Sequence, residues 1–322
     1  MIASLIRFSL TQRLMLLLFA GTLVAAGLWA YRTLPIDAFP DITSPQVQVI
    51  VKAPGMAPTE VETRITFPIE TEMQGLPRQT VLRSMTKYAL AVIYIDFEDG
   101  TDIYWARNQV VERLNQVRAS LPANAEVGLA PVTTPLSELY MYRIEGGGLT
   151  NSELRLLQDW VIRPRLRTVP GVADVNSLGG EVRAFEVAPD TAKLAAHGIT
   201  IDELAKALEE SNRNAGGDRI NRGSEMLLVR TIGALQSMDD VRNITVATRQ
   251  GVPVHVDDVA AVRLGALTRY GGVTNSAKGE AVTGLVLLRK GENGRTTVVG
   301  VKREIDALKA AMPKGVTITP FY

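Results

Sequence analysis

The chain has 322 residues, 46% of them hydrophobic, with 35 basic residues against 34 acidic ones. This length predicts more than one domain. The balanced charge argues against a nucleic-acid partner, because nucleic acids are bound by strongly basic surfaces. Cysteine is absent, and the two histidines, His197 and His255, are 58 positions apart. The composition therefore excludes disulfides, thiolate nucleophiles and cysteine-based zinc sites.

Residues 14–31 form an apolar run without a charged side chain. As a helix the run would be about 27 Å long, close to the ~30 Å hydrocarbon core of a bilayer. Arg7 and Arg13 precede it, and Arg32, Asp37 and Asp41 follow it, which predicts a cytoplasmic N-terminus and a periplasmic remainder. A cleaved signal peptide is the alternative, but the run exceeds the usual length of about 7 to 15 residues. We expect a retained membrane anchor.

Residues 46–130 contain apolar patterns typical of strands and helices in the order βαββαβ. The predicted strands are 46–52, 80–85, 89–97 and 126–130. The predicted helices begin at Pro58 and at Asp102, which is a candidate N-cap. This order is typical of a ferredoxin-like fold, in which both helices cover one face of a four-stranded sheet.

The same order recurs downstream with an insertion. Strand, helix and strand are predicted at 138–144, 150–167 and 173–178, and again at 281–289, 296–312 and 316–319. Pro77 and Pro170 end corresponding helices 93 positions apart, whereas Pro122 and Pro313 are 191 positions apart. The second copy therefore contains an insertion of about 98 residues. Within it we predict a helix at 201–211, capped by Thr200 or Asp202, a turn at Gly216-Gly217, and strands at 226–231 and 252–256.

Motifs for catalysis and for cofactor binding are absent from the sequence. No phosphate-binding GxxxxGK[ST] or GxGxxG motif, nucleophile elbow or HExxH motif occurs. The acidic stretch 96–102 lacks the spacing of a calcium-binding EF-hand, and turn and cap roles are expected for it. The methionines are scattered rather than clustered as a cuprous site requires. We expect neither an enzyme nor a bound cofactor.

Several motifs resemble those of the resistance-nodulation-division transporters, and within that family the heavy-metal efflux branch. They are LPIDAFPDITSPQVQV at 34–49, APG at 53–55, DGTD at 99–102, YWAR at 104–107, LQDW at 157–160 and VPGV at 169–172. The resemblance extends from Ile2 to Tyr322. Members of the family are much longer, with further transmembrane helices that carry the proton-binding carboxylates. The chain is thus expected to be an N-terminal portion, either an excerpt or a truncated product.

The resemblance implies an α+β fold in which one N-terminal transmembrane helix precedes two ferredoxin-like βαββαβ porter subdomains, the second carrying an inserted α+β docking subdomain. The cytoplasmic N-terminus and transmembrane helix would occupy 1–32. The first porter subdomain would occupy 33–133, the second 134–179 and 280–322, and the docking subdomain 180–279.

The resemblance also implies a function: the N-terminal part of an inner-membrane, proton-driven antiporter that exports divalent zinc, cobalt, cadmium or nickel. Such a pump works as a homotrimer with a periplasmic adaptor and an outer-membrane channel. Glu138 and Asp174 resemble positions where zinc-type members place carboxylates facing the porter cleft, and carboxylate oxygens suit a borderline divalent cation. The alternative for both residues is a solvated charge at a strand end.

Two other functions remain open at this stage. A drug or small-organic exporter of the same family would need an aromatic cleft, and aromatic residues make up only 6% of the chain, which favours a metal cargo. A membrane-anchored periplasmic module could instead bind partners through the inserted domain and transport nothing.

Overall fold

The computed structural model describes residues 11–33, 43–134, 136–212, 215–222, 225–231, 233–249, 251–269, 271–275 and 279–322, with the backbone alone for 32, 33 and 215–231. These residues form two compact units. The first unit comprises the described residues up to Gly147 together with Trp160–Ser177 and Thr283–Tyr322. The second comprises the described parts of Gly148–Asp159 and Leu178–Val282.

The predicted apolar segment is a helix, α1 (Arg13–Thr33). Over Arg13–Tyr31 it is long and apolar enough to cross a membrane, and none of that stretch is buried inside the protein. The hydroxyl of Thr22 donates to the carbonyl of Leu18 at 2.5 Å, so this polar group is satisfied within the helix. Arg7, Asp37 and Asp41 lie outside the described residues, and the orientation of the helix stays a prediction.

The first set of predicted strands forms a four-stranded antiparallel sheet. Its strands are β1 (Gln46–Lys52), β2 (Gln79–Lys87), β3 (Leu90–Phe97) and β4 (Glu126–Leu129), in the order β2-β3-β1-β4. In β1, Val47, Val49 and Val51 are fully buried, because alternate residues of a strand lie on one face. The four predicted strands are thereby confirmed.

Two helical segments supply the other half of this core. The first consists of α2 (Pro58–Val61), a π-helical turn (Glu62–Thr66) and α3 (Phe67–Met73); the second is α4 (Ile103–Val117). The carboxylate of Asp102 accepts a hydrogen bond from the backbone amide of Trp105 at 2.7 Å, which confirms Asp102 as the N-cap. The buried residues of α4 recur every three or four positions: Ala106, Val110, Leu114 and Val117.

The second copy begins with β5 (Glu138–Gly146), α5 (Asn151–Leu157), another π-helical turn (Gln158–Ile162), α6 (Arg163–Leu166) and β6 (Val172–Leu178). In both copies a proline follows the π-helical turn by two residues, at Pro68 and Pro164. A proline inside a helix lacks an amide donor and its ring collides with the preceding turn. The wider π-helical turn, which the sequence patterns did not predict, precedes that proline in each copy.

The inserted residues form further elements, all within the second unit. They are β7 (Arg183–Pro189), α7 (Thr191–His197), α8 (Ile201–Ser211), β8 (Ala215–Arg222), β9 (Glu225–Thr231), α9 (Met238–Arg242), β10 (Thr245–Arg249), β11 (Val252–His255), α10 (Val256–Val259), β12 (Ala260–Ala266), β13 (Thr274–Asn275) and β14 (Gly279–Glu280). Their strands pair as β7 with β12, β8 with β9, β10 with β11 and β13 with β14. Leu194, Leu204 and Val256 belong to the core of this region.

The structure corrects one prediction in this region and refines another. The turn predicted at Gly216-Gly217 is wrong: both glycines lie within β8, next to a shift in its register with β9 between Gly216 and Arg219. Glycine is common at such irregularities because it tolerates unusual backbone angles. Helix α8 has the predicted bounds, and its cap is Thr200, in a reciprocal arrangement with Glu203.

The remaining elements are β15 (Val282–Leu288), α11 (Gly294–Leu308) and β16 (Val316–Pro320). They complete a second four-stranded sheet in the order β16-β5-β15-β6. The strands of each copy can be numbered first to fourth along the chain. Read from β2 in the first sheet and from β6 in the second, both sheets then have the order second, third, first, fourth. In the second sheet the ring of Tyr142 occupies the space beside Gly284, where a β-carbon would lie 2.1 Å from the ring. The predicted subdomain boundaries stay a prediction.

Replacing Asp102 by Ala should lower the unfolding free energy of the chain by about 1 kcal/mol, because the first turn of α4 loses its cap. Chemical denaturation in detergent measures the change. Asp99→Ala is the matched control, since Asp99 is exposed and has no hydrogen bond or ion pair with any described residue. Equal losses in the two variants would contradict the capping role.

Candidate functional site

The C-terminal end of β15 brings together the strands that carry the two predicted metal ligands. The amide of Leu288 donates to the carbonyl of Ser137 at 2.8 Å, and the amide of Arg289 donates to the carbonyl of Gly171 at 2.8 Å. Ser137 directly precedes β5, and Gly171 directly precedes β6. The beginnings of both strands thus flank the same end of β15.

Glu138 is the first residue of β5, and its side chain is exposed. Among the described residues it has no hydrogen-bond or ion-pair partner. Tyr140 lies two positions further along the strand. Burial raises the pKa of its phenol, nearby Asp306 raises that pKa further, and Lys309 lowers it. The Glu138 carboxylate is therefore open to solvent and available to a ligand, whereas the neighbouring phenol is withdrawn into the interior.

Asp174, on β6, has a different environment. Its carboxylate pairs with Arg163 Nη2 at 3.3 Å and with Arg167 Nε at 3.2 Å. Its Oδ1 atom also accepts a hydrogen bond from the amide of Val175 at 2.7 Å. The Asp174 side chain is only 16% exposed. Two guanidinium groups thus already compensate the charge of the carboxylate that was predicted to bind a cation.

The sheet places Glu138 and Asp174 on strands separated by β15, which corresponds to a spacing of about 10 Å between their backbones. Within the part of the chain that the structure describes, no group of three or more His, Cys, Asp or Glu side chains is arranged to hold a metal ion. A complete cation site would therefore need ligands beyond those described here. The ligand role of the two carboxylates stays a prediction.

A cleft of about 370 Å³ lies elsewhere in the first unit. Its lining combines hydroxyl, charged and aliphatic side chains: Thr43, Ser44, Gln46, Thr80, Val81, Arg83, Asp96, Ile103, Val132, Thr133, Thr134 and Lys290. Asp96 pairs with Arg83 at 2.9 Å and accepts from Gln46 at 2.5 Å. The sequence did not predict this cleft, because its walls come from stretches that are far apart along the chain.

Lys290 connects this cleft to the end of β15. Its ammonium donates to the carbonyl of Thr43 at 2.5 Å, and its backbone amide donates to the carbonyl of Val132 at 3.2 Å. Thr43 lies three residues before β1. The stretch Leu288–Lys290 therefore bonds to the residues preceding β1 as well as to those preceding β5 and β6.

Comparison with known proteins assigns the chain to a family. The AcrB/AcrD/AcrF family matches residues 5–322. The chain belongs to the AcrB/AcrD/AcrF family. Over its whole length it is 40% identical to protein HelA of Legionella pneumophila and 39% identical to the cobalt-zinc-cadmium resistance protein CzcA of Cupriavidus metallidurans. It covers 31% of each of these relatives, so it spans about a third of their length.

A solved structure supports the same family assignment. The crystal structure of a heavy metal efflux pump matches 98% of the chain with a TM-score of 0.87 and 34% sequence identity. The chain corresponds to 32% of that protein. The matched part of that pump therefore has the fold described above, and the predicted family resemblance is confirmed.

Replacing Lys290 by Met should leave the carbonyl of Thr43 without its charged donor and loosen the beginning of β1. We expect hydrogen exchange in peptides that cover 43–48 to become about tenfold faster, with little change in the core of the second unit. Lys302→Met is the control, since Lys302 is exposed on α11. A uniform acceleration throughout the chain would contradict this local role.

Proposed function

We propose that the chain is the N-terminal part of an inner-membrane efflux transporter for divalent heavy-metal cations. The observation that carries this proposal is the match of 98% of the chain to a solved heavy metal efflux pump, at 34% identity and a TM-score of 0.87. Helix α1 would anchor the chain in the membrane with its N-terminus in the cytoplasm. The remainder of the transporter would supply the proton-coupled machinery, because α1 contains no ionisable group between Leu14 and Ala30.

The two four-stranded sheets would be the cores of two ferredoxin-like porter subdomains, at 33–133 and at 134–179 with 280–322. Their identical strand order supports this assignment. The region 180–279 would be the docking subdomain, and the transporter would act as a homotrimer with a periplasmic adaptor and an outer-membrane channel. On this proposal the chain moves ions and catalyses no covalent reaction.

The cargo would be a divalent cation of the zinc and cobalt type. One relative is named for cobalt, zinc and cadmium resistance, and another, 37% identical, for nickel and cobalt resistance. Oxygen ligands from carboxylates suit such borderline ions, and the absence of cysteine removes the thiolates that hold zinc most firmly. A site built on carboxylates would release its ion readily, as a transporter requires.

Glu138 and Asp174 would contribute to the path of the cation through the periplasmic part. Their strands flank the same end of β15, so an ion that crosses this end of the sheet would approach both carboxylates. The exposed Glu138 side chain supports an accessible ligand, whereas Asp174 would first have to be released by its arginine partners. The rest of the transporter would supply the other ligands.

Replacing Glu138 by Gln and Asp174 by Asn in the complete transporter should lower the zinc or cobalt tolerance of cells that express it. Both substitutions retain shape and remove charge, so the protein level should be normal and the double variant should lose more tolerance than either single variant. Glu126→Gln is the matched control, since Glu126 is also exposed and also begins a strand.

Unchanged tolerance in the double variant would contradict the proposed role and make both residues solvated strand-end charges. A parallel fall in protein level would instead assign them to folding. An equal loss of tolerance in Glu126→Gln would show that any exposed carboxylate of this region has the same effect.

A further inference from the structure

The contacts between Asp174 and its two arginines are long for charged hydrogen bonds. Arg163 Nη2 lies 3.3 Å from both carboxylate oxygens, and Arg167 Nε lies 3.2 Å from Oδ1. Charge-assisted N–H···O bonds usually measure about 2.7–2.9 Å. Within the same chain, Arg83 and Asp96 are 2.9 Å apart. Arg163 and Arg167, called the arginine pair below, thus contact Asp174 at the long end of the hydrogen-bond range.

The contacts of the Asp174 carboxylate are unevenly divided between its two oxygens. Oδ1 receives the amide of Val175 as well as contacts from both arginines, whereas Oδ2 contacts only Arg163 among the described residues. Each carboxylate oxygen can accept about two hydrogen bonds, so Oδ2 can accept one more. In addition, Arg163 Nε is buried without a hydrogen-bond partner among the described residues. The arrangement therefore leaves an acceptor position on Oδ2 and a donor on Arg163 without a partner among the described residues.

We propose that the arginine pair occupies Asp174 in place of the cargo cation and competes with that cation for the carboxylate. The arginine pair would then be a specificity-determining element that keeps the affinity of the site low. This inference rests on the proposed role of Asp174 in cation transfer. Two guanidinium groups around one carboxylate leave a net local charge of +1, which repels a divalent ion until the arginines move away.

Arginine is the residue type suited to this role. Its guanidinium group stays charged throughout the physiological pH range, so the competition would not depend on protonation. It also carries its charge on a long side chain that can leave Asp174 without a backbone change. A singly charged cation would compete with the arginine pair less well than a doubly charged one, because its attraction to the carboxylate is half as large.

Arg165 provides a control within the same segment. It lies on α6 between the members of the arginine pair and is 66% exposed, but its partner is Glu304, at 3.8 Å, rather than Asp174. Removing Arg165 changes the net charge by the same amount as removing Arg167. A difference between these two substitutions would therefore report contact with Asp174 rather than total charge.

The experiment measures Zn²⁺ binding to the complete transporter in detergent by competition with a chromophoric chelator. The variants are R167Q, R163Q/R167Q, R167K and R165Q, each with Asp174 intact and with D174N. We expect the dissociation constant to fall about tenfold for each member of the arginine pair that is removed. R165Q and R167K should leave it unchanged, and D174N should abolish the gain.

An equal gain from R165Q, or a gain that survives D174N, would overturn the proposal. If D174N lowers the metal tolerance conferred by the transporter while R163Q/R167Q leaves Zn²⁺ binding unchanged, the competition is refuted and the proposed function stands. If D174N leaves tolerance unchanged, the proposed function fails separately.

Thermal unfolding separates this proposal from a purely structural role of the arginine pair. Removing both arginines leaves a carboxylate that is only 16% exposed without its two cationic partners, so the variant transporter should unfold at a lower temperature. Zn²⁺ should then raise its unfolding temperature more than that of the unmodified transporter, because the cation takes the place of the arginines. If Zn²⁺ does not rescue R163Q/R167Q in this way, the proposal is overturned. Should the double variant not fold, the same comparison is made with R167Q, and the absence of rescue there overturns the proposal.

Discussion

The hydrogen bonds at the end of β15 fix where the two candidate carboxylates lie. Backbone pairing sets the distance between neighbouring strands, so the separation of Glu138 and Asp174 follows from the sheet and not from their own side chains. The same few residues bond to the segments that precede β5, β6 and, through Lys290, β1. Any movement at this end of the sheet would therefore change the geometry of both carboxylates together.

The environments of the two carboxylates differ in a way that would suit the proposed transport of a cation. A cation that is to be released must be bound weakly, and the proposed site, with one solvated carboxylate and one shared with arginines, would meet this need. Glu138 offers an accessible charge, whereas Asp174 is 16% exposed and already compensated. The contrast follows from position: Glu138 begins its strand at the surface, and Asp174 lies beside the arginine-rich segment of α6.

Sequence patterns predicted elements far better than they predicted contacts. Alternation in β1 and the apolar spacing of α4 depend on neighbouring residues, and such patterns identified the strands and helices. The unequal offsets of matched prolines predicted the insertion, whose bounds stay a prediction. The π-helical turns were missed because a single wide turn barely disturbs an apolar stripe, although Pro68 and Pro164 were a usable signal. The pairing of Asp174 with Arg163 and Arg167 depends on how α6 packs beside β6, and no local pattern encodes it.

The most direct test of this account is a crystal structure of the zinc-loaded transporter, with anomalous scattering recorded at the zinc edge. We expect an anomalous peak about 2.0–2.2 Å from a carboxylate oxygen of Asp174, close to Glu138, with Arg163 and Arg167 moved away from that carboxylate. Zinc bound elsewhere in the periplasmic part, while Asp174 keeps both arginine partners, would contradict the account.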